Sequence, residues 1–180
     1  MAIKSTPERY GTVAIAIHWL SAILVIGLLA SGFRAASTMD AAAKAVILRL
    51  HVVAGLLVLA LTLSRVVWWW MADRKPAPLT AHPLAARAAA AVHVLFYVVL
   101  LGMAASGIGM MVLSAAGSVL FGGQAGLLPD FWKHPPRIPH GIGGRLLAAL
   151  LVLHVGGALY HHFIARDATL SRIGLGRRRG

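Results

Sequence analysis

The sequence contains no cysteine among its 180 residues. This excludes disulfides, iron–sulfur clusters and every cofactor linkage made through cysteine sulfur. Acidic residues are also scarce, with 5 Asp and Glu against 17 Lys and Arg, and charged residues make up only 12% of the chain. Soluble domains carry about 25% charged residues, so a chain with so few cannot cover a surface that faces water. The sequence therefore predicts an integral membrane protein.

What the chain has instead is long apolar runs, with 59% hydrophobic residues and a mean hydropathy of +0.79. The formal charge of +12 would suggest nucleic acid as the partner of a soluble protein. Here the basic residues lie between apolar runs, and none of their clusters is interleaved with aromatics, so we expect no nucleic-acid partner. We expect them to contact membrane lipid or a small anionic substrate.

Four apolar stretches can cross a bilayer, which needs about 20 residues per helix. The first has 24 uncharged residues between Arg9 and Arg34, and the last has 20 from Leu146 to Ala165. The second is long enough only if Arg65 extends to the membrane surface. The third is followed by a loop of small residues. The sequence predicts an all-α membrane four-helix bundle, one domain over 1–180, with helices near 10–34, 44–72, 84–114 and 138–166.

The basic residues also predict the orientation of the bundle. The first run exceeds a signal-peptide core and lacks a typical cleavage site, so we expect a retained helix. With both termini in the cytoplasm, 11 Lys and Arg lie inside and 6 outside, as the positive-inside rule requires. The six outer basic residues are offset only by Asp40 and Asp130.

Nine histidines are the chemical anomaly of so apolar a chain, and ionisable residues within a membrane are candidates for function. His140 and His154 are 14 residues apart, which puts them within about 40° on one helix face and about 21 Å apart. His18 and His154 lie at similar depths, about 14 and 18 Å from the cytoplasmic side. His51 and His140 both lie at the outer side.

Two pairs of facing histidines in a helix bundle suit haem iron, which accepts an imidazole on each side. Zinc prefers about four ligands close together. We therefore predict that His18 and His154 ligate a cytoplasmic-side haem and that His51 and His140 ligate an outer one. His93, about 9 Å deep, is the alternative ligand at the cytoplasmic level, or else a partner of a propionate or a quinone.

The remaining histidines have other predicted places. His161 lies seven residues after His154, on roughly the same face and near the cytoplasmic surface, where a quinone headgroup could dock. His162 points elsewhere and is expected at the interface. His82 and His134 lie beside prolines in loops and are expected to be solvated.

Short motifs around the histidines form a specific combination. They are Arg9-Tyr10-Gly11, His18-Trp19-Leu20, Leu50-His51-Val52, the helix 3 stretch 92–97, Leu153-His154, Tyr160-His161-His162-Phe163 and the closing segment 167–172. With these motifs the chain resembles the bacterial cytochrome b561 family over nearly its whole length. The resemblance implies two b-type haems on the two histidine pairs, exchange of electrons with membrane quinone, and multi-pass residence in the bacterial inner membrane.

One branch of this family is the superoxide oxidase, which passes electrons from periplasmic superoxide to ubiquinone. In that branch the residue that matches His161 would contact the quinone. The basic residues that flank the outer pair are consistent with a small anionic substrate, because such a field raises its encounter rate. They are Lys44, Arg49, Lys133, Arg137 and Arg145. Alternatively, Arg49 and Arg145 neutralise haem propionates or headgroups, and the Gly- and Pro-rich loop 121–139 departs from a charged capture loop.

Two other functions are also consistent with the sequence. Chains of this architecture also resemble the cytochrome b subunits of hydrogenases and formate dehydrogenases, which a redox partner protein supplies with electrons. A non-redox transporter or scaffold, whose histidines relay protons or bind metal ions, is the third hypothesis.

Overall fold

A computed structural model describes residues 2–77, 79, 83–122 and 128–175. The regular structure of these ranges is helical. Its elements are α1 (Thr12–Ser37), α2 (Ala41–Met71), α3 (Pro83–Leu113), the short α4 (Ala116–Phe121), a 3-10 turn (Phe131–Lys133), α5 (Arg137–Phe163) and the short α6 (Thr169–Arg172). The four long helices are each long and apolar enough to cross a membrane. The all-α fold with four spans is thus confirmed.

The helix ends follow from local chemistry. Between α1 and α2 the chain turns at Asp40, whose carboxylate accepts the Ala43 amide at 2.7 Å and so caps the start of α2. This cap begins α2 at Ala41, three residues before the predicted limit. At the end of α3, Ala115 adopts a left-handed conformation with φ of 54°, which stops the helix.

The segment after α3 corrects one prediction. We expected a loop of small residues, but Ala116–Phe121 forms α4. Ala116 and Leu120, one turn apart, are both buried, and this apolar contact stabilises a helix that its small residues alone do not indicate. The Leu120 carbonyl at its end accepts a hydrogen bond from Arg49 Nε at 2.7 Å.

The long helices form two antiparallel hairpins, α1 with α2 and α3 with α5, which meet mainly where α2 packs on α3. At mid-height a layer of buried apolar side chains joins all four helices. The layer consists of Val25, Val58, Val99, Leu147 and Leu150. Most other apolar side chains face outward, as the lipid-facing surface of a membrane bundle requires.

The end of the bundle that carries the termini is held together by hydrogen bonds between distant segments. The Ser5 amide and hydroxyl both donate to the Asp73 carboxylate, and Trp19 Nε1 donates to the Ile173 carbonyl at 3.0 Å. Gly11 is buried here, and a Cβ on it would collide with the Ile3 carbonyl. The Arg-Tyr-Gly and His-Trp motifs therefore each fix a chain terminus against α1.

Candidate functional site

His51 of α2 and His140 of α5 face each other at the end of the bundle opposite the termini, and we call them the outer histidine pair. Their ring centres are 6.2 Å apart. His51 Nδ1 lies 2.9 Å from Ser31 Oγ of α1, and His140 Nδ1 lies 3.0 Å from Ser106 Oγ of α3. Both rings are thus held through Nδ1, which leaves Nε2 as the nitrogen for another ligand.

His18, His93 and His154, from α1, α3 and α5, form the inner histidine cluster near the termini. The ring centres of His18 and His154 are 6.2 Å apart, and those of His93 and His154 are 5.5 Å apart. His93 Nδ1 lies 2.8 Å from the Ala89 carbonyl of its own helix. The structure therefore brings together the predicted pair and its alternative member.

The two histidine levels are distinct. His140 and His154 on α5 are separated by about 21 Å of helix, and the buried apolar layer lies between them. Each level has a facing pair of imidazoles on two different helices, so the bundle holds two separate candidate centres.

The spacing of the facing pairs tests whether they fit an iron with two imidazole ligands. Two metal–nitrogen bonds of about 2.0 Å, with about 1.1 Å from each nitrogen to its ring centre, separate the ring centres by about 6.2 Å. The His18–His154 and His51–His140 pairs both have this separation. The His93–His154 pair is shorter, at 5.5 Å. The residues present therefore fit two bis-histidine haems.

Arg65, a half-buried residue of α2, lies beside the inner cluster. Arg65 Nε is buried and has no hydrogen-bond partner among the described residues, and the same holds for Trp69 Nε1 one turn further along α2. The guanidinium lies near His18, His93 and His154. Its buried donor suits an anion such as a haem propionate.

His161 lies at the end of α5 with its ring held by an acidic residue. His161 Nδ1 contacts the Asp167 carboxylate at 2.6 Å, and the Thr169 amide donates to the same carboxylate at 2.8 Å. Partial burial acts to raise the pKa of Asp167, but hydrogen bonds from Thr169 and His161 outweigh it and hold the pKa below its usual value. The other ring nitrogen of His161 is left for a ligand.

The other histidines are peripheral to these groups. His162 stacks edge-on against Phe163, with ring centres 4.8 Å apart. His134 follows the 3-10 turn and is partly exposed. His82 lies outside the described residues.

The predicted anion-steering residues lie at the outer end of the bundle. Arg137 packs over the Trp132 ring at 4.3 Å, and Arg145 donates to the Gly141 carbonyl at 3.0 Å, so two guanidiniums lie beside His140. The acids of this end are engaged as caps, Asp40 on α2 and Asp130 on the 3-10 turn. Within the described ranges, none of Lys44, Arg49, Lys133, Arg137 and Arg145 has a carboxylate within 4.0 Å.

A membrane bundle of four spans with facing histidines at two depths defines a membrane cytochrome b architecture. The sequence matches the prokaryotic cytochrome b561 family over residues 9–176. It is 32% identical over 185 aligned positions to cytochrome b561 homolog 2 of Escherichia coli (strain K12), an alignment that covers 96% of this chain and 95% of that protein. The chain belongs to the prokaryotic cytochrome b561 family, which implies haem b binding and electron transfer in a prokaryotic membrane.

Three site residues were not predicted as such. Ser31 and Ser106 contact the outer pair, and Asp167 holds His161. A signal for the serines exists in the sequence, because the tripeptide Ala-Ser-Gly occurs in both α1 and α3. Asp167 belongs to the closing segment 167–172 on which the resemblance rests, but the sequence predicted no function for it.

Proposed function

We propose that this protein is a di-haem b oxidoreductase that moves electrons from periplasmic superoxide to membrane ubiquinone. The observation that supports it best is the pair of facing imidazoles at each of two depths, His51 with His140 and His18 with His154. When bound, the two haems would supply one-electron transfer between the two sides of the membrane.

The outer end is suited to a small anionic donor. Five basic side chains lie at the same end of the bundle as the outer pair, and the two carboxylates of this end, Asp40 and Asp130, offset only part of their charge. The net positive field raises the local concentration of an anion. Each superoxide gives up one electron and leaves as neutral dioxygen, which this field does not retain.

The inner end is suited to a quinone that takes up protons. Reduction of one ubiquinone needs two electrons, hence two superoxide ions, and two protons from the cytoplasmic side. His161 offers an imidazole nitrogen to the quinone oxygen while Asp167 holds the ring in place. His93 lies beside His154 and is the second candidate to contact a propionate or the quinone.

The first test is a spectrum of the detergent-purified protein, oxidised and reduced with dithionite, with haem counted per chain. Two low-spin b haems are expected, and no haem would contradict the proposal. Superoxide is then added with ubiquinone, and quinol formation is measured in the wild type and in His161→Ala. We expect the variant to keep both haems and to lose most quinone reduction. Electrons accepted only from a copurifying partner protein would instead indicate a partner-fed cytochrome b subunit.

A further inference from the structure

We propose that Ser31 and Ser106 are positioning residues that fix the tautomer and orientation of the outer histidine pair, and so help to set the potential of the outer haem. This inference rests on the proposed function, because it takes His51 and His140 as iron ligands. It concerns two hydroxyls that carry no assigned role.

The two serines occupy equivalent places in an internal repeat. Ser31 lies 13 residues after His18 on α1, and Ser106 lies 13 residues after His93 on α3. On the second helix of each hairpin, Arg65 and His154 each lie 14 residues after the histidine of the outer pair. The hairpins α1–α2 and α3–α5 therefore present the same arrangement twice, with one serine directed at each outer imidazole.

The hydrogen bonds define which atom donates. Ser31 Oγ lies 3.1 Å from the Leu28 carbonyl of its own helix, and Ser106 Oγ lies 2.8 Å from the Gly102 carbonyl. If Nε2 of His51 and of His140 ligates iron, the single proton of each neutral ring lies on Nδ1, which must donate. Each serine hydroxyl therefore accepts from its imidazole and donates its own proton to its helix carbonyl.

A glycine follows each serine and lets the ring lie against the helix. A Cβ on Gly32 would lie 3.2 Å from His51 Cε1, and a Cβ on Gly107 would lie 3.3 Å from His140 Cε1. Both distances are tighter than ordinary carbon contacts. In each Ser-Gly pair, the serine thus holds the ring by a hydrogen bond at Nδ1, and the glycine lets the backbone lie close to Cε1.

This arrangement has an electronic consequence. A histidine that donates its second N–H becomes a more basic ligand, and a more basic ligand favours ferric over ferrous iron. Loss of the acceptor should weaken haem retention by about 10- to 100-fold. It should also move the outer potential in the positive direction, by about 59 mV for each tenfold change in a one-electron couple.

The test compares Ser31→Ala and Ser106→Ala with two matched controls, Ser37→Ala and Ser114→Ala. Ser37 is the last residue of α1, and Ser114 follows the last residue of α3. Each hydroxyl donates to a carbonyl of that helix, with no imidazole contact among the described residues. Haem per chain and both potentials are measured by redox titration of the full-length protein. We expect a positive shift of one haem in each site variant, an unchanged second haem, and unchanged controls.

Ser31→Thr and Ser106→Thr provide the rescue, because threonine keeps a hydroxyl that bonds the same carbonyl. If an alanine variant loses the outer haem and its threonine variant regains the haem and its potential, the proposal is supported. Unshifted potentials in both alanine variants overturn it, as does equal damage by the control substitutions. A wild type with fewer than two haems contradicts the proposed function instead, so the two failures are distinguishable.

Discussion

Arg65 lies in a membrane helix where an unpaired cation is costly. Its Nε is buried without a partner in the described part of the chain, and its guanidinium lies near the inner histidine cluster. A propionate of the inner haem would satisfy both the charge and the donor. We therefore expect Arg65 to contribute to the inner centre.

For Arg65→Leu we expect weaker retention of the inner haem. We also expect a more negative reduction potential of the haem that is retained, because a nearby cation favours reduced iron and the variant lacks that cation. A tenfold change in the equilibrium between reduced and oxidised haem corresponds to about 59 mV in its reduction potential. Redox titration and haem quantification measure both effects. Arg87→Leu is the control, since Arg87 is exposed near the start of α3. An unchanged inner haem in Arg65→Leu would exclude this role.

In the inner cluster, either His154 or His93 could be the second iron ligand opposite His18. The 6.2 Å separation of His18 and His154 fits two ligands of one iron. His93, whose ring centre lies 5.5 Å from that of His154, is the alternative partner of His18. We expect His154→Ala to remove the inner low-spin haem and His93→Ala to keep it. Haem per chain and the low-spin spectrum decide the matter. Loss of that haem in His93→Ala alone would reverse the assignment.

At the scale of helices, the long spans were predictable because charge-free runs mark them directly. The observed limits lie within three residues of the predicted ones. The short α4 was not predictable, since its stability comes from burying Ala116 and Leu120 against other helices. The depth of each histidine followed from helical geometry. The contacts of Ser31 with His51 and of Ser106 with His140 could not be predicted in this way. Each joins two different helices, and the residues are 20 and 34 positions apart in sequence.

The contact between α5 and the segment that leads to α6 should depend on pH through Asp167. Its pKa in the folded chain is below the usual value of about 3.9. Its ionised form therefore stabilises the folded contact at pH above about 3.9, and this contribution is lost as pH falls through the lowered pKa. We expect protection of residues 167–175 from hydrogen exchange to fall in that acidic range.

Asp167→Asn should abolish this pH dependence and reduce protection already at neutral pH. Asp130→Asn is the matched control, because Asp130 caps the 3-10 turn at the other end of the bundle. The same pH profile in Asp167→Asn and in the wild type would show that another group is responsible.

Across the whole molecule, the two ends of the bundle differ in composition from its middle, which is apolar. The buried layer of Val25, Val58, Val99, Leu147 and Leu150 separates the two histidine levels with apolar side chains. The exposed lysines Lys75 and Lys133 lie at the two ends of the bundle, away from this layer. If the proposed function is correct, attraction of the substrate at the outer end should therefore respond to a change at Lys133 that leaves both histidine levels intact.

If superoxide is the donor, its reaction rate should fall as salt increases, because the Debye length shortens from about 30 Å at 0.01 M to about 8 Å at 0.15 M. Lys133→Glu should lower the rate at low salt and flatten the salt dependence, since Lys133 is exposed at the outer end. Lys75→Glu, at the end that carries the termini, is the control and should leave both unchanged. Stopped-flow reduction of the haems by superoxide measures the rate. A salt-independent rate, or equal effects of the two substitutions, would show that the outer positive field does not steer the substrate.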